Sequence, residues 1–421
     1  MSGQCVFTIV ADIGPGSVAA VREALAPVRS DPGGNSVLPL AQFPTLHFAS
    51  LVIADGPGVD PPKLIFECNV DGTVEGWLTA LTTGGGEGLD TIYANSPGYP
   101  GGTDPETQRA WLAARVVRPG AYHIGATGRS LVRIRQEQEL HDAIGAFLDA
   151  EEASGGLATV TPEAMRAKVQ AFVRADQALR WALADAPDRE SRADWFRHRA
   201  RAAAVVVAAV LASPVLVPTL LGWAAWLRVK EVTDRVQAGP PAPDHVRLLE
   251  GDEDEFLVAH NHLSSVIPVK RGPLRAVTLP VVLFAVNLLA RITSTKGKLG
   301  GIPSIHFAHW SLIDEGRHLV FLSNFDGSWE SYLGDFIDKA ATGLTAVWSN
   351  TQNFPRTRFL AREGATDGPR FRQWARANQC RTEAWYDAYP RLGMTVIDNN
   401  SSIREGLFRD VEETDRWLRR L

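Results

Sequence analysis

Cysteine is scarce in this chain. Three occur in 421 residues, Cys5, Cys68 and Cys380, and no two form a CxxC pair. That excludes a disulfide framework and a thiolate zinc site. A surplus of positive charge is also missing. Lys and Arg total 43 against 48 Asp and Glu, a formal net charge of −5, which argues against nucleic-acid binding through bulk charge. The start, MSGQCVFTIVADIG, has no basic region ahead of an apolar stretch, so no secretory signal is expected. Several enzyme signatures are absent: GxSxG, HExxH, the phosphate-binding GxxxxGK[ST], and a GxGxxG opening a helix after a strand. Gly84-Gly85-Gly86 follows a helical pattern and reads as a stop signal and flexible loop. What remains, 45% hydrophobic and 22% charged residues, is a globular composition. At about 150 residues per domain, the length allows roughly two to three domains.

The chain repeats itself. TLHFASLVIAD (45–55) matches SIHFAHWSLID (304–314), and LIFECNVDG (64–72) matches LVFLSNFDG (319–327). GLDTIYAN (88–95) matches GLTAVWSN (343–350), and Gly14-Pro15 matches Gly272-Pro273. LVRI (131–134) with Leu140 and Ile144 matches MTVI (394–397) with Ile403 and Leu407. Five blocks in one order indicate an internal duplication.

Each copy has the same succession of elements. QCVFTIVADI alternates as a strand does, and SVAAVREALAPV carries apolar residues at helical spacing. LHFASLVIA and KLIFECNV are β-branched and aromatic runs split by the turn GPGVDPP. TVEGWLTALTT is a predicted helix and LDTIYAN a predicted strand. Copy two follows with HLSSVIPV, the helix PLRAVTLPVVLFAVNLLARI, the hairpin SIHFAHWSLI and HLVFLSNF, the helix SWESYLGDFIDKAATG and the strand LTAVWSN. Both copies then add a strand and a helix. The order βαββαβ is the ferredoxin-like pattern. Such a sheet has helices on one face only, so its other face needs a cover. The expected fold is therefore α+β: tandem ferredoxin-like domains, 1–155 and 251–421, packed bare face to bare face as an α+β barrel.

Residues 156–250 form an insert. Thr161-Pro162-Glu163 starts a helix that runs toward Ala184 and stops near Pro187, and a second begins near Ser191. The apolar segment 202–227 carries no charge and, as one helix, would reach about 39 Å, more than a hydrocarbon core of about 30 Å. Arg197, Arg199 and Arg201 precede it, Arg228 and Lys230 follow, and Trp195, Trp223 and Trp226 lie near its ends. Two domains that pack together cannot be separated by one crossing. With Pro214 and Pro218 in mid-segment, the expectation is a re-entrant hairpin dipping into one leaflet from the cytoplasmic side. A buried core helix is the alternative. Leu274–Ile292, interrupted by Pro280, Asn287 and Arg291, reads as a core helix. The acidic run Glu250–Glu255 reads as a solvated linker or helix start.

Two recurrent units carry polar chemistry. His47 and His306 share one place on the hairpin's first strand and read as core residues or as ligands. Asn69-x-Asp71-Gly72 and Asn324-x-Asp326-Gly327 close the second strand, where each Asp is placed to cap the next helix. Copy two also has His309, Arg317, His318, Trp329, Arg356 and Arg358, so it is the better equipped for a ligand. His260-x-His262 is a further metal candidate without a third ligand in sequence.

This layout resembles the dimeric α+β barrel superfamily, which includes dye-decolorising peroxidases and chlorite dismutases. NVDGT and NFDGS keep the Asp-Gly of the peroxidase Gly-x-x-Asp-Gly element and lack its first Gly. IHFAHWSLID, SNFDGSWESYLGDFIDKA and GLTAVWSN also resemble a bacterial family of membrane-associated proteins with no established activity. The resemblance implies haem in copy two, held by His306, His309, Arg356 and Arg358. His306, His309, Arg317 and Asp326 would then act in peroxidase-like oxidation of an apolar or lipid-like substrate. The alternatives are a non-enzymatic membrane scaffold or sensor with a filled barrel, and a cofactor-free monooxygenase.

Overall fold

The alternating strands and helical runs of the sequence fold into an α+β molecule. The computed structural model describes residues 3–102, 104–156, 160–184, 192–234, 236, 239–293, 301–408 and 414–421. The first part holds β1 (Gln4–Asp12), α1 (Val18–Ser30), β2 (Leu46–Ala54), β3 (Lys63–Asp71), α2 (Val74–Tyr93), α3 (Pro105–Ala113), β4 (Val116–Val117), β5 (Ala121–Ile124) and α4 (Leu131–Ala153). Helices α5 (Pro162–Ala175), α6 (Arg192–Leu211), α7 (Ser213–Thr233) and α8 (Pro243–Phe256) follow. Next come β6 (His260–Pro268), α9 (Pro273–Thr293), β7 (Ile305–Ile313), β8 (His318–Asp326), α10 (Trp329–Asp335) and α11 (Ala341–Trp348). The chain ends with β9 (Thr357–Arg358), β10 (Arg362–Glu363), α12 (Gly368–Asn378), β11 (Thr382–Asp387), α13 (Met394–Phe408) and α14 (Thr414–Leu418).

Two antiparallel sheets organise these elements, ordered β11-β2-β3-β1-β4 and β5-β7-β8-β6. Each takes an edge strand from the far part of the chain, because β11 pairs with β2 and β5 pairs with β7. The sheets pack face to face through Val52 and Ile65 on one side and Val266, Val320 and Leu322 on the other. Helices α1 and α2 cover the outer face of the first sheet with Val21, Leu25, Trp77 and Leu81. Helices α9 to α12 cover the second with Leu283, Tyr332, Trp348 and Trp374. This double cover explains why β2 and β7 read as nearly continuous apolar runs.

Three local expectations fail for identifiable reasons. LDTIYAN and LTAVWSN are not strands: they lie in or against the ends of α2 and α11. Leu81, Leu89, Ile92 and Tyr93 recur at helical spacing and are all buried, and that period overrides the β-branched composition. LVRI and MTVI open α4 and α13, and the strand added before each helix is β5 or β11. The triple glycine is not a loop but the middle of α2, bent at Gly85. A Cβ on Gly88 would stand 1.9 Å from the Val37 carbonyl oxygen, so glycine here serves close packing of helix on loop. The acidic run is neither a linker nor a helix start: it lies at the end of α8, where Glu250, Asp254 and Glu255 are exposed and Asp252 and Glu253 are buried. Asp252 pairs with Arg29 and Arg381, and Glu253 pairs with Arg376, which ties α8 to α1, α12 and β11.

The insert is helical. Thr161 caps α5 through its side chain, as expected, and a 3₁₀ turn at Gln177–Leu183 follows. The expected stop near Pro187 and start near Ser191 lie outside the described residues. The apolar segment breaks at Ala212, between Arg199–Ala208 and Ser213–Thr233, with a bend of 87°. Helix α9 is a core helix on one face only. Leu279 and Leu283 are buried, whereas Val277, Val281, Phe284 and Leu289 face out. Among the described residues, Pro273–Arg291 is the one unbroken helix long and apolar enough to cross a membrane, with mean hydropathy 1.8.

Candidate functional site

Both hairpins contain a bulge, and each bulge is a histidine. The register of β2 against β3 skips between Leu46 and Phe48, and that of β7 against β8 between Ile305 and Phe307. The extra residues are His47 and His306. A bulge re-aims its side chain out of strict alternation, so both imidazoles turn into the space between the sheets. Each meets the aspartate that ends the next strand. His47 Nε2 is 3.0 Å from Asp71 Oδ1, and His306 Nε2 is 2.6 Å from Asp326 Oδ1.

The aspartates cap helices, but not the ones that follow them in sequence. Thr73 and Ser328 cap α2 and α10. Asp71 Oδ2 instead accepts from the Leu131 N–H at the start of α4, and Asp326 Oδ2 from the Met394 N–H at the start of α13, both at 2.8 Å. A carboxylate favours a helix N-terminus, where free N–H groups and the dipole both attract it.

The two ends of this symmetry differ. Opposite Asp71 in the register stands Gln4, and opposite Asp326 stands His260. The Gln4 amide bonds the Arg129 carbonyl and the Gly128 N–H. His260 instead joins His306 with ring centroids 4.3 Å apart, and its Nδ1 bonds Asp387 Oδ2 at 2.6 Å. Burial pulls the His260 imidazole down in pKa, but the bond to Asp387 and the charges of Asp387 and Asp326 leave it raised. His306 is lowered by burial and by neighbouring His260, against the pull of Asp326. Phe48 and Tyr389 close over both rings. His260, His306 and Asp326 can each offer one ligand atom within 4.8 Å of the others.

A second polar cluster lies deeper, around Glu67 on β3. Its carboxylate accepts from Ser50, His262, Asn69 and Asn324 at 2.9–3.0 Å, and Trp385 Nε1 donates to Asn324 Oδ1. Burial alone would raise the Glu67 carboxyl. The hydrogen bond and charge of His262, the charge of His309 and the Asn69 amide outweigh it and hold the pKa at about 2. His309 Nδ1 is 3.8 Å from Glu67, beyond hydrogen-bond reach, and both its ring nitrogens are buried without a hydrogen-bond partner. Burial pushes that imidazole down to about 4 despite the attraction of Glu67. Glu67 is a charged residue within the apolar run KLIFECNV, and that anomaly was its visible signal. Asp387 and Tyr389 gave none, because only the pairing of β11 with β2 brings them here.

The candidates from sequence therefore scatter. His306 and Asp326 come together, His309 belongs to the Glu67 cluster, and Arg317, Arg356 and Arg358 are exposed. A haem does not fit these residues. His306 and His309 are 1% and 0% exposed, so protein atoms rather than a cavity surround both rings. A cleft of about 800 Å³ lies elsewhere, between α8, α12 and the loop after β2, and no candidate from sequence lines it. No family model, curated protein or solved structure matches the chain.

Proposed function

We propose that this chain is a non-enzymatic scaffold or sensor that rests on a lipid surface through α6, α7 and α9. The carrying observation is an apolar face turned outward. Leu211, Val215, Leu221, Val277, Phe284 and Leu289 are all more than half exposed on these helices. Trp223 of α7 bonds Thr278 of α9 at 3.2 Å, which sets the two helices side by side. A contiguous apolar face of this kind marks an interaction surface. Fully burying one such side chain contributes about 1.5–3 kcal/mol, so six half-exposed ones offer roughly 5–9 kcal/mol. The bend after α6 fits a dip into one leaflet better than a crossing. Exposed Arg197, Arg199 and Arg201 near its start suit an anionic, cytoplasmic leaflet.

The core is read as two ferredoxin-like copies, residues 1–155 and 251–421, packed as an α+β barrel. Its support is the order β4-β1-β3-β2, the matched bulges and the matched aspartate-to-helix bonds. The isolated bridge Ser265–Gln379 also sits where Ile9 pairs with Val116. His306 and His309 are enclosed by side chains, which favours a scaffold or sensor over an oxidoreductase. Vesicle flotation tests the membrane reading. The full chain should float with anionic vesicles, and Leu221→Glu combined with Phe284→Glu should lower partitioning at least tenfold. Unchanged flotation of that folded variant would overturn it.

A further inference from the structure

We propose that His260, His306 and Asp326 form a binding site for one divalent transition-metal cation of the zinc class. Three strands build it. His260 opens β6, Asp326 closes β8 directly opposite, and the bulge in β7 turns His306 toward both. The ligand atoms converge on one carboxylate oxygen. Asp326 Oδ1 is 2.6 Å from His306 Nε2 and 3.4 Å from His260 Nε2.

The state of His260 is what points to a cation. Its Nδ1 is engaged by Asp387, whose other oxygen accepts the Tyr389 N–H at 2.8 Å. With Nδ1 turned to Asp387, Nε2 is the nitrogen that faces the Asp326 oxygen, at 3.4 Å. That nitrogen is buried, in a residue 1% exposed, and the other polar neighbour of the ring is the Leu392 backbone. A ring nitrogen and a carboxylate oxygen at this separation are held together by positive charge between them. A proton or a metal ion supplies it, and two imidazoles with a carboxylate suit the metal. Tetrahedral zinc with bonds of about 2.0–2.1 Å sets its ligand atoms about 3.3 Å apart. The His260 contact already has that span, and the His306 contact opens to it once its shared proton leaves.

The surroundings are those of a metal centre. Asp387 fixes the tautomer and orientation of His260, and the Met394 N–H holds the second oxygen of Asp326. Gly393 leaves room beside that carboxylate, since a Cβ there would lie 3.2 Å from Oδ2. The Asp326 side chain is 24% exposed, so a solvent ligand can complete the coordination. Nitrogen donors favour zinc and its neighbours over magnesium or calcium. The matching place around Asp71 provides an internal contrast. It has one imidazole, His47, and the Gln4 amide is fully occupied by backbone. The site lies between the sheets, away from the apolar helices, so its test and the flotation test fail independently.

The experiment uses the full chain in mild detergent, stripped with EDTA and titrated calorimetrically with Zn²⁺. One ion per chain should bind. His260→Gln, which installs the residue found at position 4, should weaken binding at least 100-fold. Asp387→Asn should weaken it 10- to 100-fold, as outer-shell changes do. His47→Gln should leave it within twofold. Absence of binding to the wild type, or equal binding by folded His260→Gln, would overturn the proposal. If His260→Gln does not fold, X-ray absorption at the zinc edge of the wild type decides. Two imidazole ligands support the site, and none or one refutes it.

Discussion

Acidification should destabilise this protein through one residue, His309. Its imidazole is buried with both nitrogens unpartnered, and its pKa is about 4 in the folded state against an ordinary 6.5. The folded value is the lower one, so between these values the unfolded chain binds the extra proton. Stability from this group is full above pH 6.5 and falls as the pH drops toward 4. At 1.36 kcal/mol per unit of pKa, the loss from pH 7 to pH 4 is about 3 kcal/mol. Other groups also titrate in that range, so the measurement is a difference. Urea unfolding of wild type and His309→Leu is followed by tryptophan fluorescence at pH 7 and pH 4. Glu67 keeps its four hydrogen-bond donors in the variant and loses only the charge of His309, so its carboxyl stays lowered by the bonds of His262 and Asn69. The wild type should lose about 3 kcal/mol more than His309→Leu over this interval. Equal losses would show that His309 takes up its proton as readily when folded, and the reasoning would fail.

Other perturbations give equally definite outcomes. Glu231, near the end of α7, accepts from the Thr357 hydroxyl and the Phe359 and Leu360 N–H groups. Glu231→Ala strands these donors at a cost of about 3 kcal/mol, so amide exchange over 357–363 should quicken about a hundredfold. Gly88→Ala, with a Cβ 1.9 Å from the Val37 oxygen, should lower the melting temperature by the equivalent of about 1–3 kcal/mol. Gly145→Ala in α4, where a Cβ meets nothing within 4 Å, should raise it by about 0.5–1 kcal/mol. A rise for both alanines would contradict the packing argument.

Local pattern was legible in sequence, and anything settled by distant contact was not. β1, β2, β3 and their later counterparts stood out because alternation and turn residues are local signals. The end of α2 was misread because Thr91, Ile92 and Tyr93 look like strand residues until burial reveals the helical period. The capping role of Asp71 and Asp326 was readable from type, but their true partners lie 60 and 68 residues away. His260 and His306 were visible as histidines. That they converge follows from a bulge and a register, and neither leaves a mark in one sequence.

The exchanged edge strands also set an order of completion. β2 ends at Ala54, and its partner β11 begins at Thr382. At roughly 5–20 residues per second, a ribosome needs on the order of 15–65 s to travel between them. Throughout that interval the long, apolar edge of β2 stands open, the kind of edge that recruits other chains. β7 has no such wait, because β5 precedes it in the chain and is already made. The sheet synthesised first is thus the last to be closed, and the nascent chain needs shelter at β2 until its final tenth has emerged.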